Sequence, residues 1–187
     1  MKSVALEQTG IKFFDWIDSV IESFRTSITL EVTVPSAVYA RTRLLCEYIS
    51  EKVGVRYTVS EFIMTIYEDF LQECISKYQP KRIYEQITRE YGYGQTLTIH
   101  MNEEIATVQK RPGTRTILTI EIGKRDAEKG ELILEEMDEM FGQVPTLEGL
   151  LGKLWTNFIE EYKQGNNQKA LNAIIRMLKK EAKEMEE

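Results

Sequence analysis

The chain has 187 residues, of which 42 % are hydrophobic and 29 % are charged, and its formal net charge is −6. These values are typical of a globular protein, and no apolar run approaches the roughly 20 residues that cross a bilayer. The acidic excess argues against general binding to nucleic acid, because neutralising phosphates requires lysine and arginine. That excess is concentrated in residues 116–163, which carry 5 basic and 11 acidic side chains.

Residues 1–26 are predicted to form an amphipathic helix. Apolar side chains recur there at helical spacing, and the stripe either packs on the core or forms a contact between copies of the chain. The segment lacks the apolar core and cleavage site of a signal peptide, so we expect a cytoplasmic protein. The stripe consists of Ile11, Phe14, Ile17, Val20, Ile21 and Phe24.

Residues 27–78 predict a strand followed by two helices. Apolar and polar side chains alternate over residues 28–34, as in a strand with one buried face. A helix is predicted to follow and to stop at Gly54. Thr58 and Glu61 have the spacing of a capping box, which indicates the start of the second helix. On the inner side of the first helix we expect Val38, Leu44, Leu45 and Ile49.

Residues 79–115 form a connector. The pattern predicts a helix to about Arg89, a break at the glycines of residues 91–94, and a β-hairpin made of residues 96–101 and 105–110. This hairpin either extends and caps the neighbouring strand or presents basic side chains to a DNA backbone. Those basic side chains are Lys110, Arg111 and Arg115.

Residues 116–163 repeat the strand–helix–helix pattern. The run TLEVTVPSA at 29–37 aligns with TIEIGKRDA at 119–127, an offset of 90 residues. The run TVSEFIMTIYEDFL from Thr58 aligns with TLEGLLGKLWTNFI from Thr146, an offset of 88 residues. The change of offset predicts a two-residue difference late in the first helix. We infer a duplication, in which further matched pairs are Leu44 with Leu134 and Gly54 with Gly142.

Residues 164–187 predict a C-terminal helix with one apolar side and several lysines on the other. Three roles remain open for it: packing on the body of the protein, pairing with another chain as a homo-oligomer, or presenting its lysines to phosphate. The apolar side is made of Leu171, Ile174, Ile175, Leu178, Ala182 and Met185.

Residues for catalysis or metal binding are scarce. His100 is the only histidine, and no cysteine or carboxylate stands near it at metal-ligand spacing. Gly92 and Gly94 lack the strand–loop–helix context of a phosphate-binding loop. Cys46 and Cys74 lie far apart in helical patterns, which predicts reduced, buried thiols. We therefore expect neither an enzyme nor a cofactor.

A short alternating strand, a helix, a glycine turn and a second helix opened by Thr-x-Ser-Glu resembles the ribbon-helix-helix family of DNA-binding proteins. The resemblance covers two stretches, a little over half of the chain. It implies a mostly α fold with a short antiparallel β ribbon, in which the two copies pair as a tandem ribbon-helix-helix pseudo-dimer. The inserted β-hairpin and the terminal helices would be additions to it. Pairing within one chain and exchange between two chains both fit the long connector.

In that family the paired strands enter the major groove, while the start of the second helix holds a phosphate. The resemblance therefore implies binding to double-stranded DNA by a transcriptional repressor or by a partition or copy-control factor. The implied base-reading side chains are Thr29, Glu31 and Thr33 of one strand with Ile117, Thr119 and Glu121 of the other. The implied helix starts are marked by Thr58, Ser60 and Thr146. Contacts with phosphate would have to come from flanking cations, each of which is equally consistent with an ordinary solvated surface charge. These cations are Arg25, Arg41, Arg43, Arg56, Arg115, Lys124 and Arg125.

The ribbon departs from the usual chemistry of base readers, which offer arginine, lysine, asparagine or glutamine. It offers threonines and the two carboxylates of Glu31 and Glu121, which repel phosphate. An alternative function is therefore a non-enzymatic protein-interaction or assembly module that keeps the fold without binding DNA.

Overall fold

The structure is a computed structural model that describes residues 26–89, 96–101, 104–109 and 113–184. The predicted N-terminal helix lies outside the described residues. Within them the protein is mostly helical and contains a short antiparallel ribbon, as expected. No helix in these ranges is long and apolar enough to cross a membrane. The elements are β1 (Ser27–Pro35), α1 (Ser36–Val53), α2 (Val59–Ser76), α3 (Pro80–Thr88), β2 (Thr96–Met101), β3 (Glu104–Gln109), β4 (Arg115–Gly123), α4 (Lys124–Phe141), α5 (Leu147–Lys163) and α6 (Gln168–Glu184).

The ribbon consists of β1 and β4 of the same chain. They pair antiparallel over nine residues each, with Ser27 opposite Gly123 and Pro35 opposite Arg115. The alternation predicted for both strands is present, because alternate side chains turn towards the helices. Burying this apolar face, rather than the two-stranded ladder alone, stabilises so small a sheet. The buried side chains of the ribbon are Leu30, Val32, Val34, Ile120 and Ile122.

The predicted hairpin is present as β2 and β3, which pair antiparallel from Thr96 opposite Gln109 to Met101 opposite Glu104. They form a two-stranded sheet of their own, separate from the ribbon. The hairpin therefore does not lengthen the ribbon through a hydrogen-bonded ladder. Lys110 and Arg111 lie outside the described residues.

The repeat has one constant offset. Its strands begin at residues 27 and 115, its first helices at 36 and 124, and its second helices at 59 and 147, so each element recurs 88 residues later. The strand alignment at an offset of 90 is therefore wrong, and Thr29 corresponds to Ile117 rather than to Thr119. The error has a simple cause: strand side chains alternate with period two, and a shift of two residues preserves the alternation.

The same correction applies to the first helix. Leu44 was expected on the inner side of α1, but its side chain is 58 % exposed. Its counterpart 88 residues later is Leu132, which is 56 % exposed, whereas Leu134 is buried and corresponds to the buried Cys46. The pairing of Leu44 with Leu134 was thus wrong by two positions, which on a helix turns the side chain to another face.

Each repeat contains a third helix that the sequence comparison did not detect. α3 and α6 begin at residues 80 and 168, again 88 residues apart. Ile83 of α3 and Leu171 of α6, at equivalent positions, are both buried. α3 packs against α4, and α6 packs against α1. The third helix of each unit thus lies on the first helix of the other, and the C-terminal helix packs on the body of the protein.

The two cysteine thiols are buried and free, and burial raises the pKa of Cys46 and of Cys74 to about 12. Because the thiolate is the reactive form, we expect neither thiol of the folded protein to react with Ellman's reagent at pH 8. Both should react at the rate of unfolding once guanidinium is added. Rapid modification of either thiol in the native protein, assigned with Cys46→Ser and Cys74→Ser, would contradict this prediction.

The direction of these shifts also sets a pH dependence. Both folded-state pKa values lie above the ordinary value of 9.0, so folding favours the neutral thiols. Their contribution to stability is complete below pH 9 and is lost as the pH rises towards 12. The midpoint of chemical unfolding should therefore fall over that interval.

Candidate nucleic-acid interface

The face of the ribbon that points away from the helices carries the six side chains predicted for base reading. In the register of the two strands, Thr29 lies opposite Glu121, Glu31 opposite Thr119, and Thr33 opposite Ile117. All six are exposed, including Ile117 at 61 %. The structure therefore brings the predicted residues together on one accessible surface, which we call the ribbon face.

The charge of the ribbon face is negative. Its six side chains include the carboxylates of Glu31 and Glu121 and no basic group; the exposed Arg115 stands in the same alternation at the end of β4. Within the described part of the chain, neither carboxylate takes part in an ion pair. A carboxylate on such a surface can accept a hydrogen bond from the amino group of cytosine, but it repels the phosphates on either side. The ribbon face alone is therefore a poor general binder of DNA.

Cations stand at both ends of the ribbon. Arg115 opens β4, and its Nη2 donates a hydrogen bond to the carbonyl oxygen of Thr33 across the ribbon at 3.4 Å. At the other end, Lys124 and Arg125 follow β4 directly and are exposed. The backbone N–H of Lys124 donates to the carbonyl of Thr26 at 2.9 Å, which holds this end against the start of β1. These three cations flank the ribbon face.

The cations predicted around the first unit are less available. The guanidinium of Arg41 lies 5.6 Å from the centre of the Tyr162 ring, and Arg43 pairs with Glu47 at 3.5 Å. Arg56 is exposed in the turn before α2, while Arg25 lies outside the described residues. The ribbon is thus flanked mainly by basic side chains of the second unit.

The two predicted phosphate-holding helix starts differ in their chemistry. At α2, the Glu61 Oε2 accepts from the Thr58 N–H at 2.6 Å and from the Thr58 hydroxyl at 2.7 Å, forming the predicted capping box. A phosphate there would meet this carboxylate. At α5, the Thr146 hydroxyl accepts from the N–H of Gly149 at 3.3 Å. Glycine supplies no carboxylate at that position, although Glu148 also lies in the first turn. Thr146 is exposed whereas Thr58 and Ser60 are half-buried, so Thr146 marks the more accessible start.

A cleft with a volume of about 790 Å³ was not predicted. It is lined by residues of α2, α3 and α5 and of the start of α6, and no ribbon residue lines it. The matched positions Phe70 and Phe158 were visible in the alignment of the second helices. Only the pairing of the two units shows that these matched positions face a shared space.

Within the described ranges, no three or more histidine, cysteine, aspartate or glutamate side chains are grouped closely enough to hold a metal ion. Comparisons of the chain with family models, with curated proteins and with solved structures found no match.

Proposed function

We propose that this chain is a tandem ribbon-helix-helix protein that binds double-stranded DNA with its ribbon face, in the cytoplasm, as a transcriptional repressor or as a partition or copy-control factor. The observation that carries the proposal is the antiparallel pairing of β1 with β4 over nine residues each, with one face buried and the other exposed. A two-stranded ribbon of this kind fits a major groove, which is about 12 Å wide.

The constant offset of 88 residues supports the tandem arrangement, because the elements recur in the same order around the ribbon, and the strands and the first two helices of the two units are similar in length. Two backbone hydrogen bonds extend this correspondence to the ends of the ribbon. Ser36 N–H donates to Thr114 at 2.8 Å at one end, and Lys124 N–H donates to Thr26 at 2.9 Å at the other. In a homodimer of single units, two chains would supply these partners; here one chain does.

The residues of the ribbon face suggest how DNA would be read. Thr29, Thr119 and the methyl-bearing Ile117 suit contacts with thymine methyl groups, while Glu31 and Glu121 suit the amino group of cytosine. Affinity would come from Arg115 together with the two basic side chains at the start of α4. Guanine and thymine present no hydrogen-bond donor in the major groove, so a carboxylate that faces either base would stay unpaired, and we expect low affinity for arbitrary sequences.

The test begins with retention of a random pool of short duplexes on the immobilised full-length protein at low salt. For a retained duplex, the logarithm of the association constant should fall linearly with the logarithm of salt concentration, by about 0.9 per phosphate bound. The triple variant Arg115→Gln, Lys124→Gln, Arg125→Gln should reduce that slope by about 3, roughly one for each phosphate that is no longer neutralised.

The matched control is Lys77→Gln with Lys81→Gln, two exposed lysines around the connection from α2 to α3. This control should leave the salt slope unchanged. An equal reduction of the slope in both variants would mean that DNA does not bind at the ribbon. Failure to retain any duplex at low salt would contradict DNA binding altogether.

The acidic ribbon face favours a second candidate, a non-enzymatic protein-interaction or assembly module. The double variant Glu31→Gln, Glu121→Gln distinguishes the two functions. If the ribbon reads DNA, this variant should bind arbitrary duplexes more tightly and lose preference for cytosine. If the ribbon serves only protein contacts, neither the wild type nor this variant should retain DNA in the salt-dependent manner described above.

A further inference from the structure

The cleft between α2, α3 and α5 lies where the two units meet. Four pairs of its lining residues on the second helices stand at equivalent positions, 88 residues apart: Ile66 with Leu154, Asp69 with Asn157, Phe70 with Phe158, and Glu73 with Glu161. The second helices of both units therefore contribute the same stretch of surface. Sites between two packed units are common positions for ligands, and the volume of about 790 Å³ falls within the range of known small-molecule pockets.

Arg82 of α3 and Arg89, which directly follows α3, make the cleft asymmetric. Arg82 pairs with Glu73 of α2 at 3.1 Å, and Arg89 approaches Glu161 of α5 at 3.9 Å. These two arginines thereby reach the equivalent glutamates of both units. On the opposite side, Ala170 occupies the position equivalent to Arg82 and also lines the cleft. The unit that ends in α6 thus contributes no such cation there.

The lining retains a negative charge after these pairs are counted. Four carboxylates line the cleft, those of Asp69, Glu73, Glu85 and Glu161, against the two guanidinium groups of Arg82 and Arg89, which leaves a net charge of −2. Asp69 and Glu85 are both exposed and form no ion pair within the described residues.

Apolar surface lies between these charges. The half-buried side chains of Ile66 and Phe158 form the apolar floor of the cleft, whereas Phe70 is only 3 % exposed. Phe158 is held by an edge-to-face contact with Phe62, with ring centres 5.2 Å apart. A ligand that fits this lining therefore combines positive charges with an apolar chain between them. A compact metal ion suits it poorly, since it would leave the apolar floor uncovered.

We propose that the cleft binds a flexible aliphatic polyamine. Its ammonium groups would face Asp69 and Glu85, and its methylene chain would cover Ile66 and Phe158. This binding site does not depend on the proposed function of the ribbon. Because both units line the cleft, an occupant would also stabilise the folded protein against unfolding.

The experiment measures binding of spermidine to the full-length protein by isothermal titration calorimetry at 0.15 M salt, about physiological ionic strength. We expect saturable binding of one molecule per chain. The double variant Asp69→Asn, Glu85→Gln should weaken it roughly tenfold, because two exposed ion pairs are removed. The control Glu135→Gln with Glu139→Gln removes two exposed carboxylates of α4 that do not line the cleft, and it should leave binding unchanged.

A second comparison tests the apolar floor. 1,8-Diaminooctane should bind more tightly than 1,2-diaminoethane, since only the longer diamine covers Ile66 and Phe158 with its methylene chain. Absence of saturable binding, equal weakening in the control and cleft variants, or equal affinity of the two diamines would overturn the proposal. Unchanged circular dichroism of the variants establishes that each remains folded.

Discussion

Replacing Gly130 by threonine should lower the free energy of unfolding by about 3 kcal/mol, the upper part of the range for overpacked cores. This is expected even though the equivalent residue of the first unit is itself a threonine, Thr42. A Cβ atom at Gly130 would overlap the hydroxyl group of Tyr67 and would lie 2.9 Å from Leu147 Cδ1. The change is measured by urea unfolding followed by circular dichroism.

The substitution is costly because the two halves of the core use different side chains at equivalent positions. In one half, the Thr42 hydroxyl donates to the carbonyl of Val38 at 2.9 Å and accepts from Trp155 Nε1 at 2.7 Å. In the other half, the hydroxyl of Tyr67 donates directly to the carbonyl of Asp126 at 2.7 Å. Val38 and Asp126 are equivalent residues, as are Trp155 and Tyr67. The tyrosine hydroxyl therefore takes the place of the threonine hydroxyl, and Gly130 leaves room for it.

A double-mutant cycle tests this explanation. Tyr67→Phe alone should cost about 1 kcal/mol, the typical net contribution of one hydrogen bond. In the Gly130→Thr background it should instead recover part of the missing stability, because it removes the overlapping hydroxyl. Glu131→Thr, an exposed position in the same helix, serves as the control and should change stability by less than about 0.5 kcal/mol. Additive effects of the two core substitutions would contradict the proposed overlap.

The different core side chains of the two units also show the limit of prediction from sequence. The buried and exposed faces of β1 and β4 followed from their alternation, and the start of α2 followed from Thr58 and Glu61. The offset between the two repeats could not be predicted from the strands, since a period of two makes offsets of 88 and 90 equally good within a strand. The start of the helix after each strand would fix the offset. However, Ser36 and Lys124, the first residues of α1 and α4, share no chemistry that identifies them as equivalent.

The equivalence of the third helices, α3 and α6, could not be predicted for a different reason. α3 has 9 residues and α6 has 17, and the buried positions Ile83 and Leu171 match only in being apolar. A helix of two to three turns offers too few apolar positions for a repeat to be recognised. The cleft could not be predicted from the sequence either, because its lining combines α2 and α5 with α3. Only the packed structure brings Arg82 and Arg89 to the equivalent glutamates.

The candidate DNA interface was predicted more fully than the cleft because it depends on alternation alone. Both strands were expected to expose the residues that the structure places on the ribbon face. The availability of cations was not predictable. Ring and ion-pair partners occupy Arg41 and Arg43, and such partners come from helix packing rather than from local sequence.

Replacing Trp155 by alanine should lower the free energy of unfolding by about 3–5 kcal/mol, the usual cost of removing a large buried aromatic side chain. Trp155 is fully buried, and its ring meets Tyr39 edge to face with the ring centres 6.3 Å apart. Its indole N–H donates to Thr42 of the other unit. The substitution therefore removes both core packing and a hydrogen bond between the units. Urea unfolding followed by circular dichroism measures the decrease.

The contributions of core packing and of the hydrogen bond between Trp155 and Thr42 can be measured separately. Thr42→Val keeps the volume of the side chain but leaves the buried indole N–H without its acceptor, which should cost about 1–3 kcal/mol. Tyr48→Ala removes an aromatic side chain of α1 that is 43 % exposed, and it should cost less than about 1 kcal/mol because little apolar surface is removed from the core. If Trp155→Ala cost no more than Tyr48→Ala, the indole would not stabilise the contact between α5 and α1. Since a folded domain is typically stable by only about 5–15 kcal/mol, a decrease of the expected size should also reduce the fraction of molecules in which the ribbon is paired.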